Sequence, residues 1–300
     1  MTWTNRLIKK AIIDSPVVEY TPVIWSGRLY LVETWQTHWD GGLESEKQFY
    51  ARIREEESNR VISEFMEGYG FASGFVWKDA LYVFGTRISG GSDLDRTFGD
   101  IYVSKSQNLT DWTDPRVIIE RDEGEQLFNE SVCYDGRRFV MAYESNTHVP
   151  FTLKFAESDD LGDWRKVPDA MYGPEKYAAC PAIRYVGGYY YMLYLEHLKP
   201  RWWFETWLTR SEDLIHWEDA PRNPVIAPDP SHRVYPTCPE HIERGCPANL
   251  MECNASDPDL VEWHGKVRVY FTGGCQHWAG YLQYAEFDGS MQEFFESYYE

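Results

Sequence analysis

The 300-residue sequence lacks an apolar run long enough to span a membrane, and its first ten residues lack the apolar core of a signal peptide. These two absences predict a cytoplasmic protein without a membrane partner. Positive charge is also scarce, because 29 Lys and Arg stand against 48 Asp and Glu, for a formal net charge of -19. Nucleic acids and anionic membranes require a basic surface, so neither is an expected partner.

Cysteine is present but is not arranged as a disulfide framework or a zinc site. Cys133 and Cys180 lie in strand-like apolar runs, where a buried free thiol is the usual case. Cys238, Cys246 and Cys253 fall in one loop without the close Cys-x-x-Cys pairing of structural zinc sites. We therefore expect no zinc site and no cofactor.

Helical periodicity is almost absent. The exception is the charged region 44–67 around Arg54–Glu57, which fits either a short helix or a solvated loop. With 43% apolar and 16% aromatic residues, the chain can nevertheless bury a large core. The sequence thus predicts an all-β protein.

A spaced triple, Ser-x-x-Leu-x-x-Trp, occurs three times. It reads Ser106, Leu109 and Trp112, then Ser158, Leu161 and Trp164, and then Ser211, Leu214 and Trp217. The copies follow one another at steps of 52 and 53 residues. Self-similarity at such a period is typical of an array of one supersecondary unit, so the three tryptophans are predicted to be core residues of that unit.

Each unit carries sequence signals for four strands. A hairpin comes first, as at residues 182–191, and a short strand such as Trp207–Arg210 precedes the triple. A β-rich segment follows the triple, as in Arg116–Ile119 and Pro224–Ala227. Four strands per unit is the composition of a propeller blade.

Aligned hairpin turns divide the chain into five such units. The turns lie near Gly27, Asp79, Gly136, Gly187 and Gly265. The last unit stops before a complete outer strand, whereas Leu7–Ile13 precedes the first hairpin as an additional β-rich segment. Pairing the two ends removes an open sheet edge. The sequence therefore predicts one domain, residues 1–300, folded as a five-bladed β-propeller of four-stranded antiparallel blades whose ring is closed by the N-terminal strand.

The start of the first strand and the end of the second lie at the same mouth of a propeller's channel. Residues at these positions are mostly acidic. They are Glu19, Glu33, Glu130, Glu144, Glu196, Asp257 and Asp259, with Arg87 and His197 among them. Converging carboxylates repel one another, and such arrangements are common at functional sites. The alternative is that several of them only bond strand-end amides or face away from the channel.

Tryptophans are frequent in the loops above this mouth. Their flat faces suit the apolar faces of sugar rings, while carboxylates suit sugar hydroxyls; plain packing is the alternative. The predicted substrate-binding residues are Arg87, His197, Trp35, Trp202, Trp203, Trp278 and Glu33. Of these, Arg87 either pairs with a carboxylate or holds an anionic group of the substrate.

Three features of the sequence recur in a known family: the triples, hairpins such as Gly187–Tyr194, and the run Ser256–Leu260. By these features the sequence resembles the five-bladed β-propeller glycoside hydrolases of families 43, 32 and 117. The resemblance covers about the whole chain and implies a glycosidase, with a calcium ion in the channel of some relatives. In family 43 it implies an Asp base at the start of the first blade and a Glu acid in the fourth. Here the first blade opens with Glu19 and the fourth with Ala178–Pro181, whereas Asp257 keeps an Asp-Pro pattern in the fifth.

Glycoside hydrolysis generally requires two carboxyl groups about 5 to 10 Å apart, one to protonate the leaving oxygen and one to activate water or attack. The predicted base is Asp257 or Asp259, the predicted acid is Glu130 or Glu196, and Glu19 and Glu144 come next.

The predicted function is an exo-acting glycoside hydrolase for a small oligosaccharide. The alternative from another class is a non-catalytic carbohydrate-binding propeller. A glycoside phosphorylase of the same fold is disfavoured, because only Arg87 is available at the mouth to hold phosphate. Nothing in the sequence fixes the oligomeric state.

Overall fold

The computed structural model describes residues 6–14, 17–36, 49–90, 96–148, 151–234, 239, 242, 245–275 and 279–300. Almost all regular structure in these residues is antiparallel β-sheet. None of the helices in these ranges is long and apolar enough to cross a membrane. The predicted all-β class and the four-stranded antiparallel sheets are confirmed.

After the N-terminal strand β1 (Ile8–Asp14), three four-stranded sheets follow in chain order. The first contains β2 (Tyr20–Trp25), β3 (Arg28–Gln36), β4 (Phe49–Glu55) and β5 (Arg60–Phe65); the second contains β6 (Tyr69–Trp77), β7 (Ala80–Ser89), β8 (Thr97–Ser106) and β9 (Arg116–Ile119); the third contains β10 (Leu127–Tyr134), β11 (Phe139–Ser145), β12 (Thr152–Ser158) and β13 (Trp164–Tyr172). In each sheet the strands are hydrogen-bonded in sequence order.

The remaining long strands form a fourth and a fifth group, joined by one parallel pair between Phe204 and Asn254. The fourth group contains β14 (Ala178–Val186), β15 (Tyr189–His197), β16 (Phe204–Ser211) and β17 (Trp217–Asp219), and the fifth contains β20 (Asn254–Trp263), β21 (Lys266–Cys275), β22 (Ala279–Asp288) and β1. The pair β18 (Arg233–Val234) and β19 (Leu250–Met251) is a short hairpin between them. Strand β1 pairs antiparallel with β22.

A short helix, α1 (Met291–Glu296), follows β22. The Ser290 hydroxyl accepts from the backbone N–H of Glu293, whose carboxylate accepts from the N–H of Ser290, so the helix begins with a capping box. Phe294 and Phe295 are buried, and the Phe295 ring stacks on Tyr191 with centroids 4.5 Å apart. The helix therefore covers the core beside the fourth group.

The first strands of the five groups lie next to one another. Strand β2 contacts β6, β6 contacts β10, β10 contacts β14, β14 contacts β20, and β20 contacts β2. Apolar residues fill the spaces between neighbouring groups: one cluster joins Phe84 of the second to Tyr143 of the third, and another joins Leu31 of the first to Tyr270 of the fifth. The core is therefore divided among the faces where sheets meet, as expected for stacked sheets.

The repeated triple forms the same turn each time. In the second copy, the buried Ser158 hydroxyl accepts from the backbone N–H of Asp160 (3.2 Å) and of Leu161 (3.0 Å), and Asp160 Oδ1 accepts from two further N–H groups. Leu161 is 1% exposed with φ of +66°, and Trp164 Nε1 donates to its carbonyl oxygen. Equivalent serine bonds occur in the other two copies. The three tryptophans pack against the core, as predicted.

The helix-or-loop interpretation of region 44–67 is wrong for its described part, because residues 49–65 form β4 and β5. Alternating burial marks the strand, with Ala51 and Ile53 fully buried. Charged residues occupy several positions of these strands, so the sequence does not show this alternation as a pattern of apolar and polar residues. Arg54 is buried because it pairs with Glu33 on the neighbouring strand.

The segment Pro224–Ala227 is not the fourth strand of its sheet, contrary to prediction. It makes only an isolated bridge between Ile226 and Thr206, whereas β17 occupies the outer position. Proline has no N–H to donate to a ladder, which limits pairing at the start of this segment.

Replacing Ser158 by alanine should lower the free energy of unfolding by about 1–3 kcal/mol, because buried backbone N–H groups of the turn lose their acceptor. Urea denaturation measures the change. The control is Ser231→Ala, an exposed serine that also bonds within a turn, for which a change below about 0.5 kcal/mol is expected. Equal effects of both substitutions would show that the repeated turn is not a stability determinant.

Candidate active site

Four first strands share an irregularity at the same position. Strands β6, β10, β14 and β20 each lose register with their hairpin partner over two residues. The first of the two residues always has a positive φ: Phe71 (57°), Asn129 (46°), Cys180 (50°) and Asp257 (50°). Non-glycine residues rarely adopt this conformation, and bulges of this kind redirect side chains. In the first sheet Glu19 holds the corresponding place, judged by its distance from the hairpin turn.

These five residues line two adjoining cavities. The upper cavity has a volume of about 310 Å³ and is also lined by Glu144 and several aromatic side chains. The lower cavity has about 40 Å³ and is also lined by Glu130 and Asp259. Only the upper cavity falls in the size range of small-molecule sites, at its lower end.

A hydrogen-bonded network holds two carboxyl groups of the upper cavity. Asp257 Oδ1 accepts from the Cys180 thiol (3.0 Å), and Oδ2 accepts from the Ser256 hydroxyl. Glu144 Oε2 accepts from Asn129 Nδ2 (2.9 Å) and from the backbone N–H of Cys180 (2.9 Å). Cys180 therefore connects Glu144 and Asp257 through two different donors.

The environment separates the protonation states of these carboxyl groups. Burial, together with the charge of Asp257, raises the pKa of Glu19 well above its ordinary value. Burial also raises the pKa of Glu144, to about 7, despite its hydrogen bonds. The pKa of Asp257 is raised by burial as well, but the Cys180 and Ser256 hydrogen bonds oppose that rise. Burial thus favours the protonated form of all three carboxyl groups, and the two hydrogen bonds to Asp257 favour its ionised form.

Glu130 lies beneath this group. It is 2% exposed, its Oε1 accepts from the Thr86 hydroxyl (2.8 Å), and its buried Oε2 has no hydrogen-bond partner among the described residues. Burial raises the pKa of Glu130 to about 8, so the side chain is mostly neutral at pH 7. It lines the lower cavity and not the upper one.

Asp259 and Glu196, two of the first-choice catalytic residues from the sequence, are ion-paired elsewhere. Asp259 lines the lower cavity and accepts from Arg184 Nη2 at 2.5 Å. Glu196 lies 3.0 Å from the Lys176 ammonium, which also bonds Tyr172 and Tyr194 hydroxyls, and it lines neither cavity. The structure therefore does not bring these two carboxylates into the upper cavity.

Several predicted substrate-binding residues also lie outside both cavities. Glu33 is buried between Arg52 and Arg54. It lies opposite Arg52 on the neighbouring strand, and Arg54, two residues further along that strand, points to the same face of the sheet. The Trp35 ring packs under the Arg52 guanidinium, 3.7 Å from the ring centroid. Arg87 is exposed and donates to a backbone carbonyl, Glu67 O, at 3.2 Å.

Of the other predicted residues, Trp203 lines neither cavity, and its Nε1 donates to Glu205 (2.9 Å). His197 stacks on Phe204, contacts Trp202 edge-on, and contacts Tyr177 edge-on at 5.5 Å. Tyr177 lines the upper cavity, so His197 and Trp202 lie just behind its border. Trp278 lies outside the described residues.

An aromatic wall that was not predicted from the sequence forms one side of the upper cavity. The wall consists of Phe71, Phe98, Phe128, Phe151 and Tyr177. Successive rings meet mostly edge to face, with centroids 4.8 to 5.4 Å apart. Phe98 and Phe151 lie at the starts of third strands, which also face the mouth, so their place in the repeat is the sequence signal for this wall.

No group of three or more His, Cys, Asp and Glu side chains is arranged to hold a metal ion within the described ranges. The calcium ion of the resemblance stays a prediction.

Glu130→Gln should remove the pH dependence of stability that this residue contributes. Because the folded-state pKa of about 8 exceeds the ordinary 4.5, wild-type stability falls as pH rises between these values. From pH 4 to pH 9, the free energy of unfolding of the variant should gain up to about 5 kcal/mol relative to wild type. Urea denaturation at fixed pH tests this.

The matched control is Glu125→Gln. Burial acts to raise the pKa of Glu125, but bonds from Lys154 and Ser145 lower it to about 2. This carboxylate contributes stability that is present above about pH 4.5 and is lost as pH falls towards 2, so the control should be destabilised at pH 7 and least affected in acid. If the difference in the free energy of unfolding between wild type and Glu130→Gln did not change with pH, the assignment of a buried neutral carboxyl group to Glu130 would be contradicted.

Cys180→Ala should raise the pKa of Asp257, because the carboxylate loses the thiol donor at 3.0 Å. Cys180→Ser keeps a donor and should leave that pKa close to the wild-type value. Carbon-13 NMR titration of labelled aspartate carboxyls reports it directly. Identical titration of Asp257 in wild type and Cys180→Ala would refute the connecting role of the thiol.

Comparison with solved structures finds a similar fold in several glycoside hydrolases. A Bacteroides ovatus xyloglucan PUL GH43B structure matches with a TM-score of 0.63 at 14% identity, over 93% of this chain and 54% of the other. A structure described as a glycoside hydrolase matches with a TM-score of 0.66 at 12% identity, over 96% and 90%. The Bombyx mori GH32 beta-fructofuranosidase BmSUC1 matches with a TM-score of 0.57 at 12% identity, over 93% and 61%.

This chain thus spans about half the length of the Bacteroides ovatus protein. No protein-family model matches the sequence, and no curated protein is similar to it. At these identities the likeness concerns the fold. The predicted structural resemblance to family 43 and family 32 glycoside hydrolases is confirmed.

Proposed function

We propose that the protein is a glycoside hydrolase built as one five-bladed β-propeller, residues 1–300, closed by β1, with its active site in the upper cavity. Each first strand contacts the next and β20 contacts β2, which supports a ring. Pairing of β1 with β22 supports closure by the N-terminal strand. Cytoplasmic location stays a prediction.

The observation that carries this proposal is the meeting of Glu19, Glu144 and Asp257 in one cavity of about 310 Å³. Hydrolysis of a glycosidic bond generally requires one carboxyl group that donates a proton and a second that activates water or attacks. A pKa of about 7 suits Glu144 to the first role, and the hydrogen bonds that oppose the raised pKa of Asp257 support the second role. A cavity of this size suits one sugar residue and its leaving group, which supports exo-action on a small substrate.

Asp257 is the proposed base or nucleophile. Its carboxylate is held by Cys180 and Ser256, so its orientation is fixed when it activates water or attacks the anomeric carbon. It was also the leading candidate from the sequence, where it opens the fifth blade.

Glu144 is the proposed general acid. Its pKa of about 7 lies near a neutral working pH, which is favourable for proton transfer. Glu144 takes precedence over the earlier candidates Glu130 and Glu196, which do not line the upper cavity. Glu19 remains the second candidate for the acid, because it lines the same cavity and burial raises its pKa.

Asp257→Asn and Glu144→Gln should each lower kcat/KM at least about 100-fold without unfolding the protein, since each removes an acid–base group. Wild-type kcat/KM should fall as pH rises through about 7, because Glu144 must be protonated, and this limb should be lost in Glu144→Gln. Assays use a panel of aryl glycosides and oligosaccharides, with circular dichroism to verify folding.

Glu175→Gln is the matched control, because Glu175 is an exposed carboxylate next to the cavity-lining Tyr177 without lining the cavity itself. Near-wild-type kcat/KM in both active-site variants would remove them from the mechanism. Sugar binding without hydrolysis of any compound in the panel would favour the carbohydrate-binding propeller.

A further inference from the structure

The upper cavity has an aromatic side and a polar remainder. The polar atoms come from Glu19, Asn254, Asp257 and Thr272 of the first and fifth groups and from Asn129, Glu144 and Cys180 of the third and fourth groups. The aromatic wall comes from the second to fourth groups and, apart from the Tyr177 hydroxyl, supplies only ring carbon and hydrogen.

The proposed acid lies on the aromatic side. Glu144 is opposite Phe128 in the β10–β11 ladder, and next to it the chain of rings continues from Phe128 to Phe151, with centroids 5.1 Å apart. A general acid donates its proton to the oxygen of the leaving group. The leaving group is therefore placed against the aromatic wall, while the sugar that is released from it faces Asp257.

Apart from the Tyr177 hydroxyl, the rings of the wall offer no hydrogen-bond partner to the hydroxyls of a second sugar. Each sugar hydroxyl that is taken from water and left without a partner costs about 1–3 kcal/mol. An aromatic ring loses no hydrogen bond there, and it gains the edge-to-face contacts that the wall's own rings already make at 4.8 to 5.4 Å. The cavity thus matches a ligand with one polar and one aromatic end.

We propose that the substrate is a glycoside of an aromatic alcohol, with its aromatic leaving group packed on Phe98, Phe128 and Phe151. The inference rests on the proposed function, because it uses the acid role of Glu144 to orient the substrate. It narrows the predicted small carbohydrate to a sugar joined to an aromatic group.

The test compares benzyl and methyl glycosides of whichever sugar is hydrolysed, together with a disaccharide of the same sugar. Benzyl and methyl alcohols are both poor leaving groups, so a preference for benzyl reports binding of the ring. Wild-type kcat/KM should be at least about tenfold higher for the benzyl glycoside. Phe98→Ala and Phe151→Ala should lower kcat/KM for the benzyl glycoside more than for the methyl glycoside, mainly through KM, so that the preference is lost.

Phe75→Ala is the matched control. Phe75 is likewise a half-buried ring in an aromatic cluster, but it lies away from the upper cavity, so the benzyl preference should survive its removal. Preference for the disaccharide, or equal loss of benzyl and methyl hydrolysis in the wall variants, would overturn the proposal while leaving the glycosidase function intact.

A binding measurement separates the two hypotheses. Calorimetry with benzyl alcohol should detect binding to wild type and its loss in Phe151→Ala. If no glycoside is hydrolysed but this binding is found, the proposed function fails while the aromatic site stands. If neither benzyl preference nor wall-dependent benzyl alcohol binding is found, the aromatic leaving group is refuted.

Discussion

The site depends on a backbone constraint, the bulge with positive φ near the start of four first strands. A side-chain-bearing residue in this conformation costs about 1–3 kcal/mol, and only Asn129 and Asp257 are types that tolerate it well. Phe71 and Cys180 are held there because strand pairing on either side of the bulge fixes the register. Since successive strand residues point to opposite faces, losing the extra residue would turn these side chains out of the cavities.

The second constraint is electrostatic. No Lys or Arg lines the upper cavity among the described residues, so no cation there opposes the effect of burial on the pKa of Glu19, Glu144 and Asp257. In the lower cavity, Arg184 pairs with Asp259. Elsewhere Glu33 and Glu196 are paired with Arg or Lys. Ion pairing thus distinguishes acids with a structural role from acids that remain available for proton transfer.

The sequence was sufficient for the strand pattern because each repeat supplies its own signal: the Ser-x-x-Leu-x-x-Trp turn and the hairpin glycines are local. The sequence also predicted that Glu19, Glu130, Glu144 and Asp257 lie close together, because their positions in the repeat are equivalent or adjacent. In the structure these residues line two neighbouring cavities. It failed where a neighbour from another part of the chain decides the outcome. Lys176, which pairs with Glu196, lies twenty residues before it and outside the repeated motif. Arg54 belongs to a run of charged residues that is compatible with a helix, and only its ion pair with Glu33 on another strand explains its place in a buried strand.

The pairing of β1 with β22 gives the chain ends a direct connection to the proposed chemistry. Val18 and Glu19 follow β1 closely, and Thr272 donates a hydrogen bond to the carbonyl oxygen of Val18 across the junction of the first and fifth groups. Asp257 and Glu19 both line the upper cavity at this junction. Burial is the main cause of the raised pKa of Glu19, and the charge of Asp257 adds to it. Contact between the first and fifth groups therefore contributes to the protonation state of Glu19.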